Sequence, residues 1–452
     1  MTALYHKLPG FLKAVAVSLA AQSKKKKKYG RYFDEYFSFL CSTTADERAE
    51  QANRELQVFL NQLRESSTFY YIPSDGDVRK MPILEKLDVV KNAQRILNGN
   101  PFMVVKSSGT TGQPLAMPYN ERAFQKEYAF WWYLRSYEQI KRGDRIATFA
   151  GHQVVHVDDK RPPFWVMNYF ENQLIFSSYH FSASNLKHYV KALNSFKPRF
   201  IHGYPSSIYL IAHYLLENNI QLDFRPSMVM TASETTLAFQ KKAIEQAFQC
   251  KNYIWYGNTE YCGHITECPQ GRLHAQPYHS HIRVVDHDGR DVAPGQEGTL
   301  VATNFTNSVF PLVNYNTKDV VRLSLDQTCA CEKGGMLFDT IVGRVEDYII
   351  LPDLTRVGRL DHLFKNAKHV RNAQVEQNDI RHVIVRVEKE AGYTQAVEKA
   401  ILHEARNRLG KEIDIVFEYV SEIPKEQNGK FKFIVQNIDT SQFSTAAQHS
   451  VV

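Results

Sequence analysis

Two groups of side chains in this 452-residue sequence have the types and spacing to do chemistry. The first is the run Ser107-Ser108-Gly109-Thr110-Thr111-Gly112-Gln113-Pro114. Glycines let a backbone bend sharply and aim its N–H groups, and hydroxyls add donors, so such a loop can cradle phosphate oxygens. By composition alone a plain Ser/Gly turn is the stronger reading, and the run is not a GxxxxGK[ST] loop. The second group is Cys268, His274, Cys329 and Cys331, a C-x5-H followed by C-x-C. Three thiolates and one imidazole suit a tetrahedral structural zinc, provided that two pairs distant in sequence meet. Cys262 is a substitute ligand, and free cysteines without metal are the alternative.

Other candidates are weaker taken singly. Glu260, Asp319, Arg344 and Lys430 are each, in isolation, solvated loop charges. His152, His156, His202 and Tyr204 fall near strand ends, where they either line a pocket for a polar, modest-sized acid or simply pack.

The elements that must position these residues follow from apolar periodicity. Residues 1–70 read as a helical leader, with apolar residues at helical spacing over 48–63. From about residue 104 short apolar strands alternate with helices: strands at 145–150, 198–202, 227–232 and 252–256, helices at 183–195, 206–218 and 235–248. This rhythm predicts an α/β sheet whose ligands sit beyond the carboxyl ends of the strands, where Ser233, Glu234 and Gly257 fall. Residues 281–325 read as β-rich, with a hairpin turn at 286–289, and β meanders over 278–314 bring the ends that carry the cysteine and histidine pairs together. After residue 343 the pattern changes to a strand at 382–387, a helix at 394–409 and a strand at 414–419, a small α+β unit. The tail beyond 438 is polar. The expected architecture is therefore α/β: a large domain over 1–343, then a small one over 344–452.

Here a family resemblance enters. The 107–112 loop resembles the phosphate loop of the acyl-adenylate-forming superfamily. Trp255-Tyr256-Gly257-Asn258-Thr259-Glu260 resembles its aromatic-Gly-x-Thr-Glu motif. Tyr315-Asn316-Thr317-Lys318-Asp319 resembles Tyr-x-Thr-Gly-Asp, and Gly343-Arg344-Val345-Glu346-Asp347 resembles the Gly-Arg-x-Asp-Asp hinge. Asn428-Gly429-Lys430 resembles the Gly-Lys near the C-terminus. Met81-Pro82-Ile83-Leu84 and Leu351-Pro352-Asp353 are similar to the phenylacetate-CoA ligase-like branch and to the CapK group linked to capsular polysaccharide synthesis. The branch is also similar at its cysteines and histidine.

The resemblance implies an ATP-dependent ligase that forms an acyl-adenylate and releases pyrophosphate. It implies that Ser107, Ser108, Gly109, Thr110, Thr111 and Gly112 hold the β- and γ-phosphates. Glu260 would hold Mg²⁺, Tyr256 and Gly257 border adenine, and Ser233, Glu234 and Thr259 line the nucleotide site. Asp319 would accept from the ribose hydroxyls and Arg344 contact ribose or phosphate. Lys430, or Lys432 beside it, would stabilise the α-phosphoryl transition state. The small domain would be mobile, rotating about Glu346 between half-reactions. Three positions depart from the pattern: Gln113 where Lys is frequent, Glu346 where Asp is usual, and Lys318 where Gly is usual. Lys318 implies either a less strained backbone or a charge added near the nucleotide. The stretch 349–359 lacks the glycine-rich turn of many CoA ligases, so the acceptor is CoA or an amine, including a sugar-linked one. The reading from a different class is a non-catalytic scaffold on the same fold.

Composition agrees with an enzyme of nucleotides and small acids. There are 55 Lys and Arg against 48 Asp and Glu, giving +7, and 43% hydrophobic residues. The excess suits anionic small molecules, and no stacking aromatics interleave the basic run, which argues against nucleic acid. Six cysteines over this length are no disulfide framework and point to the cytoplasm. No stretch is apolar and long enough to span a bilayer. The lysines at 24–28, following an apolar run at 8–21, either end a surface helix or attach it peripherally to the inner face of an anionic membrane.

Overall fold

The computed structural model describes residues 3–106, 115–156, 159–181, 183–233, 236, 238–341, 349–352, 356–357, 360–364, 367, 369–389, 391–421, 423 and 434–438. The chain divides into two compact units, Met1–Val105 with Met117–Arg344, and Lys106–Ala116 with Val345–Val452.

The first unit is built on one twelve-stranded sheet. In chain order its strands are β1 (Ile146–Ala150), β2 (Trp165–Asn168), β3 (Gln173–Ser177), β4 (Phe200–Gly203), β5 (Met228–Ala232), β6 (Asn252–Tyr256), β7 (Ile265–Glu267), β8 (Leu273–Ala275), β9 (His281–Val285), β10 (Glu297–Thr303), β11 (Tyr315–Leu323) and β12 (Leu337–Ile341). Their spatial order is β9-β10-β11-β12-β8-β7-β6-β5-β4-β1-β3-β2. Strands β3, β1, β4, β5 and β6 run parallel, and the rest pair antiparallel. The expected α/β half and β meander are thus halves of a single sheet.

The parallel half is apolar on both faces because both are covered. Along β5 the side chains alternate: Val229 joins a core with Phe149, Ile201, Ile208 and Leu193, while Met228 and Met230 join Phe130, Leu60 and Phe33 on the other side. The first core lies against helices Ala183–Phe196, Pro205–Glu217 and Ala238–Phe248. Helix α1 (Gly10–Ser23) packs through Ala14 on a small separate cluster with Val154, Val166 and Ile175, and the second core is closed by α2 (Arg31–Ser42), α3 (Ala45–Ser66) and α4 (Glu121–Arg135). Helix α3 opens on a capping box: Thr44 Oγ1 accepts from Glu47 N, and the Glu47 carboxylate accepts from Thr44 N, which satisfies two otherwise unpaired backbone donors. Buried Arg48 donates to the Leu40 and Thr43 carbonyls, satisfying the exposed end of α2.

One glycine is dictated by close approach. Gly203 ends β4 at φ +152°, where a Cβ would lie 1.9 Å from the Phe149 carbonyl oxygen. The next residue, Tyr204, hydrogen-bonds that carbonyl, and Pro205 starts the following helix.

The second unit holds a four-stranded sheet of Val370–Asp379, His382–Lys389, Asp414–Val420 and Ile434–Gln436, packed with helix Gln395–Leu409. The Gln377 amide exchanges two hydrogen bonds with the backbone of Ile350, tying the preceding segment to this sheet.

Candidate functional site

Strand β6 delivers Trp255 and Tyr256 to its carboxyl end, and the chain then turns through Gly257 to Glu260. A Cβ at Gly257 would sit 3.1 Å from the Trp255 ring and 3.5 Å from His264, so the turn is tight. Two contacts hold it: the Tyr119 hydroxyl donates to the Thr259 carbonyl, and Asn304 Nδ2 donates to the Glu260 carbonyl over 3.0 Å. The Glu260 carboxylate is buried and accepts from the Tyr315 hydroxyl at 3.4 Å.

Tyr315, Thr317 and Asp319 alternate as buried residues along β11. Pairing with β10 breaks between Val301 and Thr299, where β11 bows outward. Local bonds replace the lost ladder: Thr317 Oγ1 donates to the Leu300 carbonyl, Lys318 N donates to Asn316 Oδ1, and Asp319 N donates to Thr317 Oγ1. The bow turns Asp319 toward Tyr256, whose hydroxyl donates to Asp319 Oδ2 at 2.6 Å. Burial, then the Asp319 charge, pushes the Tyr256 phenol well above its ordinary range, so it stays a donor.

Lys318 corrects an expectation. Its backbone is not relaxed by the absence of glycine: it lies at φ +65°, the conformation a glycine would take. Nor does it add a free charge, because its ammonium is paired with Glu85.

Among the other expected residues, Ser233 follows β5, exposed, at φ +71°. Ser107, Ser108, Gly109, Thr110, Thr111, Gly112, Glu234, Arg344 and Lys430, with Gln113, Glu346 and Lys432, lie outside the described residues. His202 is half-buried, contacts Thr148 Oγ1 at 2.9 Å and stacks on Phe200. Burial, then Arg135 and His152, pushes it down to about 3. Supporting residues that sequence reasoning missed are Tyr119 and Asn304, which carry no local signal; Tyr315 was read as part of its motif but given no role.

The four zinc candidates converge. Antiparallel pairing of β8 with β12 sets His274 opposite Leu337 and so brings the two distant pairs together. The meander of β9, β10, β11 and β12 returns the chain to β8, and this pairing closes the gap. Cys268 Sγ lies 3.8 Å from Cys329 Sγ, and Cys331 Sγ 3.3 Å from His274 Nε2, and all four donor atoms lie within 4.8 Å of one another. A tetrahedron with zinc–sulfur bonds of about 2.3 Å has sulfur–sulfur edges of about 3.8 Å. His274 Nδ1 donates to the Gly334 carbonyl at 2.7 Å, which leaves Nε2 for a metal, and backbone N–H groups of Gln270 and Lys333 point at two of the sulfurs. The donor set therefore fits zinc. Cys262 stands apart, buried in contact with Asn258.

A mixed sheet whose parallel half ends in a Tyr-Gly-x-Thr-Glu turn, facing an aspartate bowed out of the antiparallel half, defines an adenylate-forming ligase. The chain belongs to the AMP-binding enzyme family, whose profile matches residues 39–307. Residues 352–437 match the CapK C-terminal domain. Protein CapK of Staphylococcus aureus is 26% identical over 96% of this chain and 99% of that protein. Phenylacetate-coenzyme A ligase of Thermus thermophilus is 27% identical over 36% of this chain and 38% of that one. Among solved structures, 2-hydroxyisobutyryl-CoA ligase with 2-HIB-AMP and CoA superposes with a TM-score of 0.53 at 17% identity, covering 90% of this chain and 94% of that one, a likeness of fold.

Proposed function

We propose that this chain activates a small carboxylic acid with ATP. The acid's oxygen attacks the α-phosphorus, the bond to pyrophosphate breaks, and an acyl-adenylate forms. The acyl group then passes to an acceptor with release of AMP. The observation that carries this reading is the Tyr256–Asp319 contact beside Glu260, three motif residues from two halves of the sheet.

On this reading Asp319 accepts from the ribose hydroxyls, a task for an oriented carboxylate, and Tyr256 fixes its rotamer. Glu260, with an oxygen free of the Tyr315 bond, suits a hard cation; Mg²⁺ bound there would neutralise charge on the departing pyrophosphate. The 107–112 loop cradles the β- and γ-phosphates, Arg344 contacts ribose or phosphate, and Lys430 stabilises the α-phosphoryl transition state. The zinc tetrad is structural, securing β8 against β12.

The acceptor we favour is CoA, which the names of the ligase relatives support. An amine acceptor has one observation in its favour, the missing glycine-rich turn in 349–359. A role in capsule assembly rests on the CapK relative. Product analysis tests the reading: with ATP, Mg²⁺ and a panel of aryl, short aliphatic, amino and uronic acids, one acid gives acyl-AMP by mass spectrometry, and CoA converts it to a thioester. ATP binding without acyl-AMP from any acid would count against it.

The leader supplies a surface for peripheral membrane contact. No helix among the described residues is long and apolar enough to cross a membrane. Helix α1 packs through Ala14 against Val166, while Phe11 (69%), Val15 (44%) and Leu19 (59%) line its exposed side. Lysines 24–27 follow, exposed; Lys28 is instead paired with Glu171. Sedimentation with phosphatidylserine vesicles, abolished by Phe11→Ser with Leu19→Ser, is the expected result; no sedimentation of the native chain refutes it.

A further inference from the structure

The hairpin of β7 and β8 carries Cys268 and His274 at its turn end, and a second cluster lies at its open end. His264 precedes β7, His279 follows β8, and Glu127 projects from α4 between them. Each histidine Nε2 lies 2.9 Å from the same oxygen, Glu127 Oε2. The two rings are 4.1 Å apart, crossed at 70°. Both histidine side chains are wholly buried and Glu127 nearly so, enclosed by the rings of Phe130 and Tyr261.

The polar atoms of this cluster are not satisfied by one another. Despite the short distances, neither contact has hydrogen-bond alignment: Glu127 Oε2 and all four ring nitrogens are without a hydrogen-bond partner. An unsatisfied buried polar group is costly, so five in one place call for an occupant. Glu127 Oε1, in contrast, accepts from Trp131 Nε1 one turn along the helix, which fixes the carboxylate with Oε2 facing the histidines.

Close approach without alignment is what a coordination edge looks like. With metal–ligand bonds of about 2.0–2.2 Å and angles between right and tetrahedral, neighbouring donors lie about 2.9–3.5 Å apart. The nitrogen lone pairs then point at the shared ion, not at the neighbouring oxygen. We propose that Glu127, His264 and His279 bind a divalent transition-metal ion, zinc foremost, at a second site separate from the cysteine tetrad. Two imidazoles in three donors disfavour Mg²⁺ and Ca²⁺, which take oxygen. One carboxylate and two neutral imidazoles balance half of the ion's charge and leave a position for water.

The site's place gives it a positioning role. His264 lies against Gly257, and Tyr261, three residues before His264, stacks on Tyr119, whose hydroxyl holds Thr259. The ion would fasten α4 to the segment that follows the Tyr256–Glu260 turn.

Zinc content decides the matter. The full chain, expressed in zinc-supplemented medium, is weighed by native mass spectrometry with inductively coupled plasma analysis. A His287→Ala background removes the exposed Asp286-His287-Asp288 turn as a competitor. Two zinc ions per chain are expected. Cys329→Ser with Cys331→Ser keeps one, Glu127→Gln with His279→Gln keeps the other, and with cobalt the first variant absorbs without thiolate charge transfer. One zinc per chain, lost with the cysteines, overturns the proposal and needs no change in the buried triad to be observed. A second zinc that survives Glu127→Gln with His279→Gln overturns it as well.

Discussion

The Tyr256 hydroxyl donates to Asp319 Oδ2 over 2.6 Å, joining the end of a parallel strand to a bow in an antiparallel one. If Asp319 holds the ribose, Tyr256 sets its aim. Hydrogen bonds to a charged group are worth about 1.5–3 kcal/mol. Tyr256→Phe should therefore lower kcat/KM for ATP at least about tenfold, and Asp319→Ala further, about a hundredfold or more. Steady-state kinetics at saturating acid check this; an unchanged Tyr256→Phe would contradict it.

The same bow makes a prediction about Lys318. A non-glycine residue in the left-handed region costs about 1–2 kcal/mol, and here the Glu85 pair offsets part of it. Lys318→Ala keeps the strain and loses the pair, whereas Lys318→Gly loses both. Thermal unfolding should rank Gly above Ala by about 1 kcal/mol. Equal midpoints would mean that the backbone there is unstrained.

The cysteine tetrad predicts metal-dependent stability. A ligand at a hundred times its Kd stabilises by about 2.7 kcal/mol. Chelator treatment, or Cys331→Ser, should lower the unfolding midpoint by several degrees and release zinc to a colorimetric indicator. No zinc release, with an unchanged midpoint, would leave the four residues as free thiols and an imidazole.

How much of this was legible beforehand depended on range. The strand at 252–256 was readable to its ends, because a short apolar run bounded by Gly257 is a local signal. The β-rich stretch beyond 281 was readable as strands, but not as part of the same sheet, since pairing of β8 with β12 is a property of distant segments. The set Cys268, His274, Cys329 and Cys331 was legible as composition, and only that pairing made it a cluster. Glu127 had no local mark at all: it sits amid aromatic residues on α4, and its partners His264 and His279 lie more than 130 residues further along the chain. Lys318 misled because an ion pair with distant Glu85 helps hold a conformation that local propensity disfavours.

His202 predicts a pH effect. Its folded pKa of about 3 lies below its ordinary value of 6.5, so the unfolded chain binds the extra proton between them. Stability from the neutral ring is present above pH 6.5 and is lost as pH falls toward 3. Between pH 7 and pH 5 this amounts to about 2 kcal/mol. Denaturant midpoints of His202→Gln should fall less steeply over that range than those of the native chain; parallel slopes would show that the ring is accessible to protons when folded.

The central claim is adenylation, and ATP–pyrophosphate exchange tests it most directly. With Mg²⁺, labelled pyrophosphate and the acid panel, the account predicts label entering ATP only when one class of acid is present. Asp319→Ala and Lys430→Ala should each reduce that exchange about a hundredfold or more. Exchange that needs no acid, or no exchange with any acid from protein shown to bind ATP, would contradict it.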